Sequence, residues 1–334
     1  MKKIFFLTAA AAMLFAACQK TEVVYNEGPQ EIAMFAVNNV ATKAPVENAV
    51  FPADNMQVAA YLAGATADNV AGAGNYFEGT LFTESDTDGI FTGSKYWPVT
   101  SAVLNFLAVS EPKTSSPVAT TFDTDTPASA ATVVLADNKI AQYDLMYAAG
   151  QGVKNNNTPG NVSMVFKHAL SWVNFMVKAS EAGKITVKSI ALNGAIYNGT
   201  LALSNSSYNV ATPYESADAA VTANWSSVGS VQNGISVFNG TYACTTAYND
   251  MGAKGLLVVP NAATSAGFTI VYSVEGAGDI TYTTNFTQPT EGWKAGYKYT
   301  YNISFGGLNE IQIAPTVTVW DQSGDIATDD DHTL

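Results

Sequence analysis

Cys18, near the start of the chain, is a candidate for covalent modification. It follows two lysines, an apolar run over residues 4–15 and the small residues Ala16 and Ala17. A short cationic start, a short apolar region and small residues before a cut are typical of a secretory signal. The pattern therefore predicts a lipoprotein signal peptide over residues 1–17, whose removal leaves Cys18 first with its sulfur available to carry diacylglycerol. The alternative is an ordinary signal in which the cysteine stands by chance.

Proteolysis is the second kind of chemistry that the sequence indicates. Residues 32–37 are apolar on both strand phases, which is typical of a strand buried on both faces. A polar connector follows and ends at Lys43-Ala44, a candidate protease site. The sequence thus places a core strand directly before a point where it could be cut off. The large apolar residues that would leave with this strand are Ile32, Met34, Phe35 and Val37.

No set of residues in the sequence has the spacing of a catalytic or cofactor-binding motif. His168 lies between apolar neighbours and the other histidine is His332, so we interpret His168 as structural and hydrogen-bonded at a domain edge. Asp86 and Asp88 lack the remaining ligands of a calcium loop. We therefore predict a protein that is not an enzyme and has no cofactor and no metal. Trp225, in a turn-rich polar stretch, is the one tryptophan that we consider for contact with a ligand.

The composition of the 334-residue chain favours β-structure and argues against one class of partner. Apolar residues make up 47% and charged residues 13%, and small polar residues fill much of the remainder, a balance that suits β-sheet surfaces. The formal net charge is -13 and the sequence contains no arginine, which argues against nucleic acid as a partner. With Cys18 acylated, Cys244 has no cysteine to pair with, so we expect no internal disulfide.

Short apolar runs alternate with turn residues along most of the chain. Residues 172–177 and 268–274, for example, are rich in β-branched and aromatic side chains. No stretch shows a long, capped 3.6-residue periodicity, although residues 208–223 are compatible with a short helix or a loop. We therefore predict an all-β chain of two sandwiches. The turn signals are Asp88-Gly89, Asn193-Gly194, Asn198-Gly199, Asn233-Gly234 and Asn239-Gly240.

A polar stretch rich in Gly and Asn, residues 150–161, predicts the boundary between the two sandwiches. We place the N-terminal sandwich at residues 44–162 and the C-terminal sandwich at residues 163–334. Residues 18–43 would then be a tether followed by the removable strand. The alternative is that the polar stretch is a long hairpin loop inside one domain.

The last apolar segment alternates with a period of two, which predicts β-structure with one buried face. Ala314-Pro315 divides the segment into two short predicted strands, because proline interrupts a strand ladder. Beyond Trp320 the chain becomes acidic and reads as a solvated tail. The apolar phase of the segment carries Ile311, Ile313, Val317 and Val319.

Several stretches in a fixed order carry a resemblance to one family. Besides the signal around Cys18 and the strand before Lys43, they are KYWPVTSAVLNFLAVSEP (95–112), DLMYAAG (144–150), VFKHALSWVNFMVKAS (165–180), GWKAGYKYTYNISF (292–305) and VTVWDQ (317–322). Together they resemble the fimbrillin-like lipoproteins of Bacteroidales, the subunits of type V pili in the major and minor fimbrillin superfamily. The resemblance implies two tandem transthyretin-like, Greek-key β-sandwich domains with few or short helices.

The resemblance also implies a mechanism of assembly. The precursor is acylated at Cys18 and anchored in the outer membrane at the cell surface. A trypsin-like or gingipain-like protease then cuts after a basic residue, here Lys43 before Ala44, and removes the lipid and the first strand together. A strand from another subunit fills the vacated groove, and repetition makes a filament. In many relatives the cleaved residue is Arg, so the lysine leaves the identity of the protease open.

Elementary energetics supports such an exchange. Each large side chain that leaves a core is worth roughly 1.5–3 kcal/mol, so an emptied groove favours a replacement strand added by β-augmentation. The donor would be the segment 309–322, inserting Ile311, Ile313, Val317 and Val319. The alternative is that residues 311–319 form the last strand of the C-terminal sandwich.

The implied function is a structural stalk pilin of a cell-surface pilus, or fimbrium. Its implied partners are other pilin subunits, the processing protease and, before processing, the lipid anchor in the outer membrane. A host or bacterial surface receptor is a further candidate partner. One alternative is a tip or adhesive subunit of the same pilus. Another is a surface glycan-binding lipoprotein, for which Trp225 would contact the sugar.

Overall fold

The structure is a computed structural model in which the described residues form β-strands joined by turns and extended segments. Within the described ranges there is no α-helix, so the prediction of an all-β chain is confirmed. The same ranges hold no helix long and apolar enough to cross a bilayer. The described residues are 29–38, 55–62, 75–84, 90–98, 103–112, 117–123, 130–153, 161–205, 221–261, 266–287, 289–306, 310–320 and 332–333.

Seven strands in the N-terminal part of the chain close into a barrel. They follow one another around the barrel in the order β1-β4-β3-β2-β5-β8-β9, and the ring closes between β9 and β1. Every ladder is antiparallel except the closing one, which is parallel. The strands are β1 (Glu31–Asn38), β2 (Asn55–Leu62), β3 (Asn75–Glu84), β4 (Ile90–Tyr96), β5 (Val103–Glu111), β8 (Met146–Val153) and β9 (Asn161–His168).

A four-stranded sheet covers one side of the barrel, in the order β13-β12-β7-β6. Strands β2 and β5 are consequently buried on both faces. In β5, Phe106 points into the barrel core, whereas Leu107 belongs to a second core beneath the covering sheet. This double burial explains the unbroken apolar runs in both strands. The covering strands are β6 (Val118–Phe122), β7 (Ala130–Leu135), β12 (Gly199–Asn205) and β13 (Val221–Val228).

The C-terminal part forms a sandwich of two sheets around a third core, in the orders β15-β10-β18-β19-β20 and β14-β11-β16-β17. Aromatic rings fill this core, and Phe286 stacks on Tyr301 with ring centroids 3.7 Å apart. The strands are β10 (Ser171–Ala179), β11 (Ile185–Asn193), β14 (Ile235–Ala243), β15 (Leu256–Val258), β16 (Gly267–Val274), β17 (Asp279–Asn285), β18 (Tyr297–Phe305), β19 (Ile311–Val319) and β20 (His332–Thr333).

Two of the predicted Asn-Gly turns lie side by side. Gly194 and Gly234 both have a positive φ, which glycine adopts without steric cost. The backbone N–H of each glycine donates to the asparagine of the other turn, to Asn233 at 2.9 Å and to Asn193 at 2.8 Å. Other Asn-Gly signals do not mark turns, because Gly199 begins β12 and Asn239-Gly240 lies inside β14. Asp88-Gly89 lies outside the described residues.

The strand pairing does not follow the predicted division at residues 162 and 163. That division falls inside β9, which belongs to the barrel. Strands β12 and β13, from the predicted second sandwich, join the sheet that covers the barrel through the pairing of β12 with β7. Each of these strands is apolar on one face, and a local pattern does not specify which distant strand it will pair with.

Pro315 does not divide the last apolar segment as predicted. Residues 311–319 form one continuous strand that pairs with β18 from Phe305↔Ile311 to Tyr297↔Val319. On its other side β19 pairs with β20 at Thr316 and Val317 only, within the described residues. A proline fits such a strand because its missing N–H can face the side where no described residue pairs with it.

Candidate functional site

The predicted removable strand is β1, and it has a neighbouring strand on each side. Its backbone pairs antiparallel with β4, from Glu31↔Tyr96 to Phe35↔Ile90, with one irregularity. On the other side it pairs in parallel with β9 through six consecutive residues, from Ala33↔Asn161 to Asn38↔Phe166. The strand is therefore an integral member of the barrel wall, and its departure would open the barrel between β4 and β9.

The side chains of β1 anchor it in the barrel core. Ile32 and Met34 are completely buried, and together they represent about 3–6 kcal/mol of gross burial energy. Ala33, on the opposite phase, is only partly buried. Full burial is therefore seen on one face of the strand. Phe35 and Val37 take part in the backbone ladder with β9, but their side chains lie outside the described set.

Strand β9 depends on β1 for most of its pairing. Residues 161–166 of β9 match β1, whereas β8 pairs with β9 only at Lys167 and His168 among the described residues. Loss of β1 would leave the first six residues of β9 without this ladder. The backbone groups and the apolar interior exposed in this way form a site that an added strand could occupy.

Three residues of the predicted processing site fall outside the described residues. They are Cys18, Lys43 and Ala44, and their roles in lipidation and cleavage stay predictions. The connector that contains Lys43 joins β1 to β2, so a cut there would leave β1 attached to the barrel by non-covalent contacts alone.

The predicted donor strand is β19, and here it packs on its own sandwich. Ile311 and Ile313 are partly buried against the C-terminal core, and Val317 is buried within it. Val319, at the end of the strand, is 40% exposed. The odd-numbered phase thus faces the core as the alternation predicted. In this structure β19 is the last long strand of its own sheet, and a donor role toward another subunit stays a prediction.

Strands β1 and β19 lie in different sheets. One aromatic contact joins the end of β9, which is the partner of β1, to the residue that follows β19. Trp320, the residue after β19, stacks on His168, the last residue of β9, with ring centroids 3.7 Å apart. Nδ1 of His168 lies 2.8 Å from Oδ2 of Asp144. His168 therefore lies at ion-pair distance from a carboxylate. Neither Asp144 nor the stack on Trp320 was predicted, because no spacing rule links such distant positions.

Trp225 lies on β13 and not in a turn. Its indole N–H donates to the carbonyl oxygen of Ala169 at 3.0 Å, and its ring packs against the core beneath the covering sheet. Gly199 is close to the same ring, since a Cβ added there would meet ring carbons at 3.1 Å. These contacts give Trp225 a packing role. Contact with a ligand stays a prediction.

The described residues hold no group of three or more His, Cys, Asp or Glu side chains that could bind a metal ion. Cys244 is buried in the C-terminal core, and burial raises the pKa of its thiol to about 11. A thiol with so high a pKa is mostly protonated at neutral pH and is a poor nucleophile.

A family comparison decides where the chain belongs. The model of a family described as fimbrillin-like matches residues 42–320, which is most of the sequence. This chain belongs to the fimbrillin-like family. The resemblance inferred from the sequence is therefore confirmed. The match begins one residue before Lys43 and leaves β1 out.

Among the solved structures that are similar to this chain, one with a TM-score of 0.50 supports its fold. A candidate cell adhesion protein of Bacteroides uniformis is 16% identical, with a TM-score of 0.50 over 88% of this chain and 99% of the other. A candidate cell adhesion protein of Bacteroides ovatus is 15% identical, with a TM-score of 0.46 over 88% and 98%. The fimbrial anchor protein Mfa2 of Porphyromonas gingivalis is 10% identical, with a TM-score of 0.29 over 89% and 100%. No curated protein matches the sequence.

Proposed function

We propose that this fimbrillin-like chain is a stalk subunit of a cell-surface pilus, assembled by protease-triggered strand exchange. It would reach the surface as an outer-membrane lipoprotein acylated at Cys18. Cleavage between Lys43 and Ala44 would then detach the lipid together with β1. The observation that carries the proposal is the position of β1, a barrel strand with neighbours on both sides that is joined to the remaining strands through the connector containing Lys43.

The energetics of the barrel make a subunit without β1 unstable as a monomer. Ile32 and Met34 alone contribute about 3–6 kcal/mol of gross burial, before any backbone pairing is counted. The whole stability of a domain is only about 5–15 kcal/mol. A barrel that has lost β1 therefore gains substantially from a replacement strand, and a second copy of the chain supplies one in β19.

The extent of the family match supports the position of the cut. The part of the chain that matches the family model starts at residue 42, so it corresponds closely to the product expected after cleavage at Lys43. Apart from Thr42 and Lys43, the residues that would be removed lie outside the match. Other pilin subunits are the proposed partners, and a trypsin-like or gingipain-like protease is the proposed trigger.

The processing step is tested by trypsin treatment of the purified precursor. We expect a new N-terminus at Ala44 and, afterwards, ladders of oligomers that resist mild denaturant. Lys43→Ala should abolish the new N-terminus and the ladders, whereas Lys20→Ala, which removes the single lysine between Cys18 and β1, should leave both unchanged. A product that starts at Ala44, has lost β1 and stays monomeric would contradict the proposal.

Deletion of residues 311–334 distinguishes a stalk subunit from a tip subunit of the same pilus. A stalk subunit must accept one strand and donate another, whereas a terminal subunit needs only one of these functions. We expect the deletion to stop filaments from lengthening, because no copy could donate β19. Filaments of normal length in cells that carry only the deleted chain would identify a tip subunit instead.

A further inference from the structure

The end of β19 is held by an aromatic cluster at the junction between the barrel and the C-terminal sandwich. The rings of Trp320 and His168 lie almost parallel, with an interplanar angle of 6° and centroids 3.7 Å apart. Both residues are more than nine-tenths buried, at 7% and 8% exposure. Trp320 is also in tilted contact with Trp172 of β10, at 5.4 Å between centroids.

Polar contacts fix each member of this cluster. His168 meets the Asp144 carboxylate, and the Trp172 indole donates to the carbonyl oxygen of Lys254 at 2.7 Å. The Lys298 ammonium lies 3.6 Å from the centre of the Trp172 ring, within the range of a cation–π contact. The backbone N–H of Trp320 donates to Gly296 at 2.6 Å. The rings are therefore held in place by groups from both parts of the molecule.

The same cluster lies at the end of the strand that pairs with β1. Residues 161–166 of β9 match β1, and His168 follows two residues later. Strand β8 pairs with β9 only at Lys167 and His168 in the described part of the chain. The position of His168 therefore depends on a strand whose ladder is supplied mainly by β1. A change at β1 can reach Trp320 through β9 alone, with no other element needed in between.

We propose that Trp320, His168, Asp144 and Trp172 form a clasp that retains β19 on its own subunit and opens when β1 leaves β9. This inference rests on the proposed function and adds a contact that regulates when strand exchange begins. In the unprocessed subunit the clasp keeps the donor strand folded back, so premature exchange is suppressed. Removal of β1 loosens β9, disturbs the stack on Trp320 and frees the end of β19 in the same event that creates the vacant groove.

The clasp is tested by hydrogen exchange of the amides of residues 311–320 in the full, uncleaved chain. Trp320→Ala and His168→Ala should each raise this exchange about tenfold, which is the scale of one lost aromatic pair. Val319→Ala is the matched control, because Val319 is adjacent to Trp320 but 40% exposed and outside the cluster. It should change the exchange by less than about twofold. Trp320→Phe, a milder variant, should give a smaller increase if Trp320→Ala fails to fold.

The coupling to β1 is tested by two methionines that share one core. Met34 of β1 and Met56 of β2 are both completely buried in the barrel core. Of these two strands, β1 pairs with β9 and β2 does not. Met34→Ala should raise exchange in residues 311–320 about tenfold, and Met56→Ala should not, although both weaken the barrel. In a Trp320→Ala background, Met34→Ala should add no further increase, because the two changes act on one coupled element.

The outcomes separate the clasp from the proposed function. Equal exchange in residues 311–320 for the Met34→Ala and Met56→Ala chains would overturn the coupling, and unchanged exchange in Trp320→Ala would overturn the clasp. Either result leaves strand exchange intact if the cleaved chain still forms ladders. The converse result is that the exchange of residues 311–320 responds as expected while the chain never polymerises after loss of β1. That result would contradict the proposed function but would support the clasp.

Discussion

Strands β1 and β19 differ in how firmly the fold holds them. Strand β1 pairs with a neighbour on each side, and both of its described large side chains are completely buried. Strand β19 pairs with β18 throughout, but on its other side β20 pairs with only two of its residues among those described. Ile311 and Ile313 of β19 are partly buried, and Val319 is largely exposed.

This difference matches the opposite tasks that the proposed strand exchange would give to the two strands. A strand that leaves a useful vacancy must be surrounded, because only then does its loss expose a groove with two edges and an apolar floor. A strand that is lent to a neighbour must leave at low cost, which an outer strand with half-buried side chains can do. The clasp at Trp320 then supplies the retention that the pairing of β19 does not.

The largest difference is expected when one side chain is truncated in each strand. Met34→Ala should lower the free energy of unfolding by about 2–5 kcal/mol, because it leaves a cavity in the barrel core. Ile313→Ala should cost only about 1 kcal/mol, since its side chain is already partly exposed. Urea unfolding of both variants measures the two values. Equal losses would remove the distinction between a surrounded strand and an outer one.

Thiol labelling of Cys244 shows which part of the molecule each strand protects. In a Cys18→Ser chain Cys244 is the single thiol, and its burial raises the pKa from 9.0 to about 11. Because the thiolate is the reactive form and Cys244 is also buried away from the reagent, labelling at pH 8 should be at least about a hundredfold slower in the native state than in the unfolded chain. Deletion of residues 311–334 should accelerate labelling of the native protein, since β19 covers the core that holds Cys244.

The matched result for β1 is a much smaller effect on Cys244. Met34→Ala weakens the barrel and, through the clasp, loosens the end of β19, but the variant keeps β19 over the C-terminal core that holds Cys244. Labelling should therefore rise far less than in the chain that lacks residues 311–334. The measurement is the time course of alkylation under native conditions for the three chains. Labelling in Met34→Ala as fast as in the deleted chain would mean that the barrel and the sandwich open as one unit, and the comparison of two differently held strands would then fail.

The smallest effects are expected within β19 itself. Val317→Ala should cost about 1.5 kcal/mol, because Val317 is buried in the C-terminal core and loses two buried carbon groups. Val319→Ala, two residues further along the same phase, should cost less than about 0.5 kcal/mol because its side chain is largely exposed. The difference in urea midpoint between the two variants checks how far along β19 the core extends.

Much of the local structure could be predicted from the sequence because it depends on neighbouring residues. The alternation in residues 311–319 predicted which phase faces the core, and the Asn193-Gly194 and Asn233-Gly234 turns were recognised from residues that tolerate a positive φ. The break at Pro315 was predicted and is wrong. Proline interrupts a strand inside a sheet but is tolerated in a strand at the edge. Whether residues 311–319 lie inside or at the edge of the sheet is decided by strand pairing, which the local sequence does not show.

The sequence by itself determined that this chain forms strands and which phase of each strand is apolar. It also determined that residues 32–37 are apolar on both phases, whereas residues 311–319 alternate. The tertiary structure alone decided that β1 closes the barrel beside β9, that β12 joins β7 and that Trp320 meets His168. The physical reason is that periodicity specifies a face but not a partner. Long-range strand pairs form because they bury apolar side chains in three cores at once, which lowers the free energy of the whole chain. That gain depends on residues far apart in the sequence, so the pattern of one segment does not specify it.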